Sequence, residues 1–423
     1  MKTKAVRLYG KRDLRLEAFE LPPIKEDEIL VRIISDSLCM SSYKAAELGA
    51  QHKRVPDNVA ENPVIIGHEF CGEIAQVGST WAEQWKPGAK FAIQPAINYK
   101  GSLNAPGYSY PFLGGDATYA IVPREFMECG CLLPYEGEAF FHGSLSEPMS
   151  CIVGAFHASY HTKAGSYDHA MGVKAGGRMA MLAAAGPMGL GAVDYALHGP
   201  RRPSLLAVTD IDEARLKRAA ELLPPGEAAK SGVDLRYINT ADLPDAAAYL
   251  LEIAGPGKTA GGYDDVFIFA PVTPVVETGD RILGYDGCLN FFAGPADTAF
   301  SAKLNFFNVH YNAAHITGTS GGNTEDMKES LVLMETGRVN PAAMITHVGG
   351  LNAAVETTLN LPKIPGGKKL IYTHIDLPLT AISDMENSGD PVLRQTAEIV
   401  GRHSGLWCAE AEKFLLDAKK GCV

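Results

Sequence analysis

The sequence lacks the surplus of basic residues that binding a nucleic-acid backbone requires. Its 38 Lys and Arg stand against 49 Asp and Glu, a formal net charge of -11, so no nucleic-acid partner is expected. It also lacks any Cys-x-x-Cys pair. The eight cysteines, at positions 39, 71, 129, 131, 151, 288, 408 and 422, are too dilute for a disulfide framework and wrongly spaced for a structural zinc knuckle. Such thiols fit a reducing cytoplasm. No apolar run reaches the ~20 residues of a membrane span; the longest, 179–193, holds Gly and Pro, and residues 1–13 carry no apolar signal core. Repeats and low-complexity tracts are missing too. What remains, 423 residues with 46% hydrophobic and 21% charged, is the composition of a soluble folded protein of roughly two or three domains.

Short strand-like runs at 29–34, 73–77, 90–93 and 118–122, punctuated by Gly and Pro, mark the first third as β-rich. From about residue 178 the pattern changes. Strand-like runs at 179–184, 205–209, 235–239, 266–270, 288–292 and 315–319 alternate with helical segments, and central strands apolar on both faces predict a doubly wound parallel sheet. In one helix, Asp212 and Glu213 favour the N-terminus, Leu216, Ala219, Ala220 and Leu223 recur at the spacing that buries one face, and Pro224 stops it. A helix is expected over 324–337 and a strand near 344–348. Two further helices are expected in 377–423, the first with Asp390 as cap and Pro391 behind it, the second capped by Ser404. This tail reads as a packing element on the first domain.

Ala184-Ala-Gly-Pro-Met-Gly189 follows a predicted strand and opens a helix. Ala185, Gly186, Pro187, Met188 and Gly189 there would let backbone N–H groups approach a pyrophosphate. The first glycine of the usual pattern is replaced by Ala184, and the plain alternative is a tight strand-to-helix turn. Asp210 ends the next strand; an acid there binds ribose hydroxyls and repels a 2′-phosphate, favouring NAD(H). Arg215, within reach of a 2′-phosphate or the adenine face, keeps NADP(H) open. Cys39, His68-Glu69 and Glu147 are individually unremarkable, but a catalytic zinc takes Cys, His and carboxylate ligands with one open position. Here they stand at the ends of separate elements, with Glu147 placed at the opening of a helix, which suggests a cleft.

Cys39-Met-Ser-Ser42, Gly67-His-Glu69, Gly114-Gly-Asp-Ala-Thr-Tyr119, Glu147-Pro148, the 184–189 turn and Gly318-Thr-Ser-Gly-Gly322 come in the order seen in the zinc-dependent medium-chain dehydrogenases, which the chain resembles over about residues 1–375. Within that family, 36–44, 52–56 and 286–295 are similar to the L-sorbose 1-phosphate reductases. The resemblance implies a GroES-like β-barrel catalytic domain (1–150), a Rossmann domain (151–320), and a return to the catalytic domain with a helical extension (321–423). It implies zinc ligation by Cys39, His68 and Glu147, with Glu69 as an alternate ligand, and a proton relay through Ser41 and Lys44. Ala270 and Gly294 join the cofactor residues, and Ser42 replaces the family's aspartate beside the metal. Residues 94–111, where many relatives hold a four-cysteine zinc, contain no cysteine, so one zinc is expected. The implied reaction is reduction of a ketose phosphate such as L-sorbose 1-phosphate by a homodimer or homotetramer. An unphosphorylated polyol or threonine dehydrogenase and a silent dinucleotide-binding relative are the alternatives. Lys44, His52, Lys53, Arg54 and Lys100 are candidate phosphate ligands, though any one reads equally well as a solvated charge. His142, His157, His161 and His169 read as structural, and Cys129 and Cys131 as ordinary thiols.

Overall fold

The computed structural model describes residues 1–163, 165–256 and 261–420, so Cys422 lies outside them. Among the described residues all seven cysteines are free, and no helix is long and apolar enough to cross a membrane. The chain divides into two units, one formed by Met1–Pro148, Asn323–Glu335 and Ile345–Val423, the other by Met149–Gly322 and Thr336–Met344.

The first unit is built on the strand Ile29–Leu38, nearly all of whose residues are buried. Its apolar side chains Val31 and Ile33 join Phe70, Ile74, Phe91 and Ile93 in one core, each contributing about 1.5–3 kcal/mol by leaving water. The strand pairs antiparallel with Phe70–Val77, Tyr119–Val122 and Lys368–Tyr372. Lys90–Ile93 and Leu132–Pro134 extend the sheet on one side, Ile345–Gly350 and Thr380–Ala381 on the other. A three-stranded sheet, Asp13–Glu20, Lys2–Gly10 and Val64–Ile65, accompanies it. Two registers fix the chemistry: Asp36 lies opposite Phe70 and Leu38 opposite Lys369. Cys39, Glu69 and Lys368 therefore leave three adjacent strands at one end.

The second unit is the doubly wound sheet, all parallel, in the order Asp234–Asn239, Leu205–Asp210, Arg178–Leu182, Tyr263–Ile268, Leu283–Phe291, His315–Thr317. This is the Rossmann order, with its switch point between the third and fourth of these strands. The Glu213–Leu222 helix is capped by Asp212, which accepts from Ala214 N and Arg215 N.

Two local expectations are corrected. The helix bearing Glu147 runs Phe140–Ala158 with Pro148 inside it, so Glu147 sits two turns in rather than at the start. In the C-terminal region Asp390 does cap Pro391–Arg402, but the last helix is Ala409–Ala418 with Cys408 at its N-cap. Ser404 has φ 58°; it belongs to the left-handed turn that ends the preceding helix and caps nothing.

Candidate functional site

Ligand-type atoms of Cys39, His68 and Glu69 lie within 4.8 Å of one another. Cys39 occupies the N-cap position of the helix Met40–Leu48, so it is held where strand becomes helix. His68 and Glu69 are 5% and 1% exposed. The residue before them must be glycine: Gly67 has φ +89°, and a Cβ there would stand 2.4 Å from Asp36 Oδ2 and 2.6 Å from Asp116 N. Asp36 also accepts the Glu69 N–H at 3.1 Å, fixing that carboxylate's stem.

Polar contacts converge on the same atoms. The Ser41 hydroxyl lies 3.0 Å from Cys39 Sγ and 3.3 Å from His68 Nε2, and the Ser42 hydroxyl 3.4 Å from His68 Nδ1. Ser42 thus takes the orienting position on the ring nitrogen that a ligand histidine leaves for hydrogen bonding. Lys44 lies on the Ser41 helix, three residues on.

The electrostatics call for a cation. Burial and then Glu69 push the Cys39 thiol up and push the Glu147 carboxyl up to about 7, against the opposing pull of His68. Burial holds His68 below its ordinary range, so its imidazole is neutral and available as a donor. A buried set of thiol, imidazole and mutually repelling carboxylates fits zinc, whose charge removes the repulsion and stabilises the deprotonated donors.

Two participants escaped the sequence reading. Lys368 Nζ grips both Glu69 oxygens at 2.5 and 2.6 Å, and against its burial Glu69 and Cys39 hold it above the ordinary lysine range. It stood in a Pro-Gly-Gly-Lys-Lys run that reads as a solvated turn. Tyr108, 3% exposed, comes from the cysteine-free loop; its ring lies 5.1 Å from the His68 ring and its hydroxyl 3.5 Å from His68 Nε2. A tyrosine flanked by glycine and serine was the only available signal.

In the second unit the turn after Arg178–Leu182 has the shape the motif demands. A Cβ on Gly189 would stand 1.9 Å from Ala184 O, so only glycine lets the helix Pro187–His198 start this close to the strand. Gly186 caps that helix with Pro187 behind it. Asp210, 6% exposed, accepts from Ala185 N at 3.1 Å and from Ile211 N at 2.8 Å, tying the acid to the turn. Arg215 pairs with Asp212 instead. Ala185, Asp210, Ala270 and Gly294 all follow or end C-terminal strand ends of the parallel sheet, where such sheets bind ligands. Of the histidines read as structural, His142 and His169 lie against the rings of Phe141 and Tyr160, and His161 bridges Asp265 and the Asp286 carbonyl.

The alcohol dehydrogenase GroES-like domain family matches residues 25–129. The chain is 52% identical to mannitol-1-phosphate 5-dehydrogenase of Aliivibrio fischeri, over 98% of this chain and 97% of that one. It is 48% identical to L-sorbose 1-phosphate reductase of Klebsiella pneumoniae, with the same coverage. Among solved structures, 2R,3R-butanediol dehydrogenase from Bacillus subtilis covers 88% of this chain and 99% of its own at 20% identity and a TM-score of 0.69, a likeness of fold. Identity at about half of all positions across nearly the whole chain goes further than fold: the chain belongs to the zinc-dependent medium-chain dehydrogenase/reductase family and is an alcohol/polyol dehydrogenase of it.

Proposed function

We propose that this enzyme reduces a ketose phosphate to a polyol phosphate, L-sorbose 1-phosphate to D-glucitol 6-phosphate, with one zinc ion and NADH. The carrying observation is the Cys39, His68 and Glu69 cluster, with His68 and Glu69 buried and Cys39 partly so, in a chain about half identical to enzymes named for sugar and polyol phosphates. Cys39, His68 and Glu147 would hold the zinc. When bound, zinc supplies Lewis-acid polarisation of the ketose carbonyl and the nicotinamide supplies the hydride. The lack of cysteine in 94–111 supports a single zinc.

The chain's own residues do the rest. Ser41, hydrogen-bonded to Cys39 and His68, donates the proton that the product oxygen takes up, and Lys44, about one turn along the same helix, restores it. Glu69 is the exchanging ligand. Leaving Lys368 to reach a metal would strand a buried ammonium at a cost of about 3–5 kcal/mol. Ala185, Gly186 and Gly189 present N–H groups and space to the pyrophosphate, and Asp210 takes the adenosine ribose hydroxyls, which favours NAD(H) over NADP(H). Replacing Asp210 by asparagine keeps an acceptor for the Ala185 N–H but removes the charge; the NADH-to-NADPH ratio of kcat/KM is expected to fall about tenfold, or 1.4 kcal/mol. An unchanged ratio would remove Asp210 from cofactor selection.

The test of the function is the initial rate of NADH oxidation by zinc-loaded enzyme with L-sorbose 1-phosphate beside L-sorbose at equal concentration. Turnover confined to the phosphorylated sugar is expected. Equal turnover of the free sugar would reassign the enzyme to unphosphorylated polyols.

A further inference from the structure

The chain is acidic, and its arginines are mostly neutralised: nine of them pair with carboxylates, among them Arg7, Arg32, Arg236 and Arg402. Arg54 differs. Half-buried, its guanidinium lies 5.5 Å from the centroid of the Tyr108 ring and has no carboxylate partner among the described residues; neither has its neighbour Lys53. Tyr108 is the ring that also touches His68, so an unpaired cation and a metal-type ligand share one aromatic side chain.

This corner is built. The Arg54 carbonyl accepts the Ser109 hydroxyl at 2.6 Å, and Val55 N donates to the His52 carbonyl at 2.9 Å, locking the 52–55 turn to the Tyr108 loop. The His52 ring stacks on Tyr108 at 5.4 Å and 10°. Its Nδ1 accepts the Arg54 backbone N–H at 3.3 Å, so in the neutral ring Nε2 carries the hydrogen and is a donor. Burial, then Arg54, Lys53 and Lys44, hold this imidazole neutral, its pKa brought down to about 4. Three cations therefore act on one histidine in a molecule whose net charge is strongly negative. A local excess of N–H donors and positive charge, one ring away from the reacting end, is what a phosphomonoester dianion requires and what a neutral polyol does not.

We infer that Arg54, with the His52 Nε2–H and Lys53, forms the subsite for the phosphate group of the substrate, and that Tyr108 is the wall separating this phosphate from His68. The inference rests on the sugar-phosphate reading above and adds to it the residues that recognise the phosphate.

The test compares kcat/KM for L-sorbose 1-phosphate and L-sorbose in wild type, Arg54→Gln, Arg54→Lys and Arg236→Gln. Arg54→Gln is expected to lower the phosphate preference roughly 10- to 100-fold through KM, the range for a hydrogen bond to a charged group. Arg54→Lys restores part of it by charge alone, and Arg236→Gln, whose partner is Asp234 in the other unit, leaves it at the wild-type value. Inorganic phosphate should inhibit wild type competitively against the sugar phosphate and inhibit Arg54→Gln more weakly by a similar factor. A wild type that prefers the phosphorylated sugar while Arg54→Gln keeps that preference overturns the subsite. A wild type without any preference overturns the sugar-phosphate reading itself, and the subsite with it.

Discussion

Cys39→Ser is expected to leave a folded protein that has lost its zinc, with kcat/KM down by roughly 10³-fold or more, the equivalent of about 4 kcal/mol of transition-state stabilisation. A serine hydroxyl at this position cannot replace a thiolate as a zinc ligand at neutral pH. The side chain it replaces is one of the three ligand-type groups gathered within 4.8 Å. Folding should survive, because Cys39 is only partly buried and lies at a helix N-cap where serine is favoured. Dinucleotide binding should survive as well, since the turn at Gly186 to Gly189 lies in the other unit. Chelation of the wild type should reproduce the loss and added zinc reverse it, whereas added zinc should not rescue Cys39→Ser. Near-normal turnover by a metal-free Cys39→Ser protein would falsify the metal assignment outright.

How much of this was legible depended on whether a residue's partner is local. The central parallel strands were readable because both of their faces are apolar, and Leu205–Asp210 falls within a residue of its expected bounds, as does the edge strand Asp234–Asn239, buried on one face only. Cys39, His68 and Glu69 were readable because their motifs are short and the strand register carries them together. Lys368 was not, because its partner Glu69 is 299 residues away and a lysine pair after two glycines reads as solvated. Nor was Tyr108, which reaches His68 across 40 residues from a loop noticed for the cysteines it lacks and for Lys100. The start of the Phe140–Ala158 helix was misplaced for a more instructive reason. Gly137-Glu138-Ala139 supplies no local cap, so Glu147-Pro148 became the apparent opening; the missing acceptor stands at the far end of the chain.

That acceptor is Glu412, and replacing it by alanine is expected to cost about 3 kcal/mol or more of stability. Its carboxylate accepts the Phe140 N–H at 2.6 Å and the Phe141 N–H at 2.9 Å, two of the donors every helix start leaves unpaired. It also accepts the Tyr372 hydroxyl at 2.9 Å, while Trp407 Nε1 donates to that hydroxyl at 2.7 Å. Glu412 is 3% exposed and Tyr372 and Trp407 less still, so water does not replace the lost acceptor, and each orphaned donor costs about 1–3 kcal/mol. The C-terminal helix thereby fixes the start of the helix that carries Glu147. The same carboxyl gives stability a pH dependence of definite sign. Burial pushes Glu412 up to about 7 from the ordinary 4.5, against the pull of its three donors. The folded state thus keeps a proton that the unfolded state has released, and this group's contribution to stability is greatest below pH 4.5 and declines as pH rises through 7, by up to about 3 kcal/mol. Glu412→Gln cannot ionise and should remove that slope. Denaturant titrations of zinc-loaded wild type and Glu412→Gln at pH 5 and pH 8 isolate the difference, since every other titrating group is common to both proteins. Parallel pH profiles in the two proteins would show that the three donors outweigh burial and keep Glu412 ionised throughout.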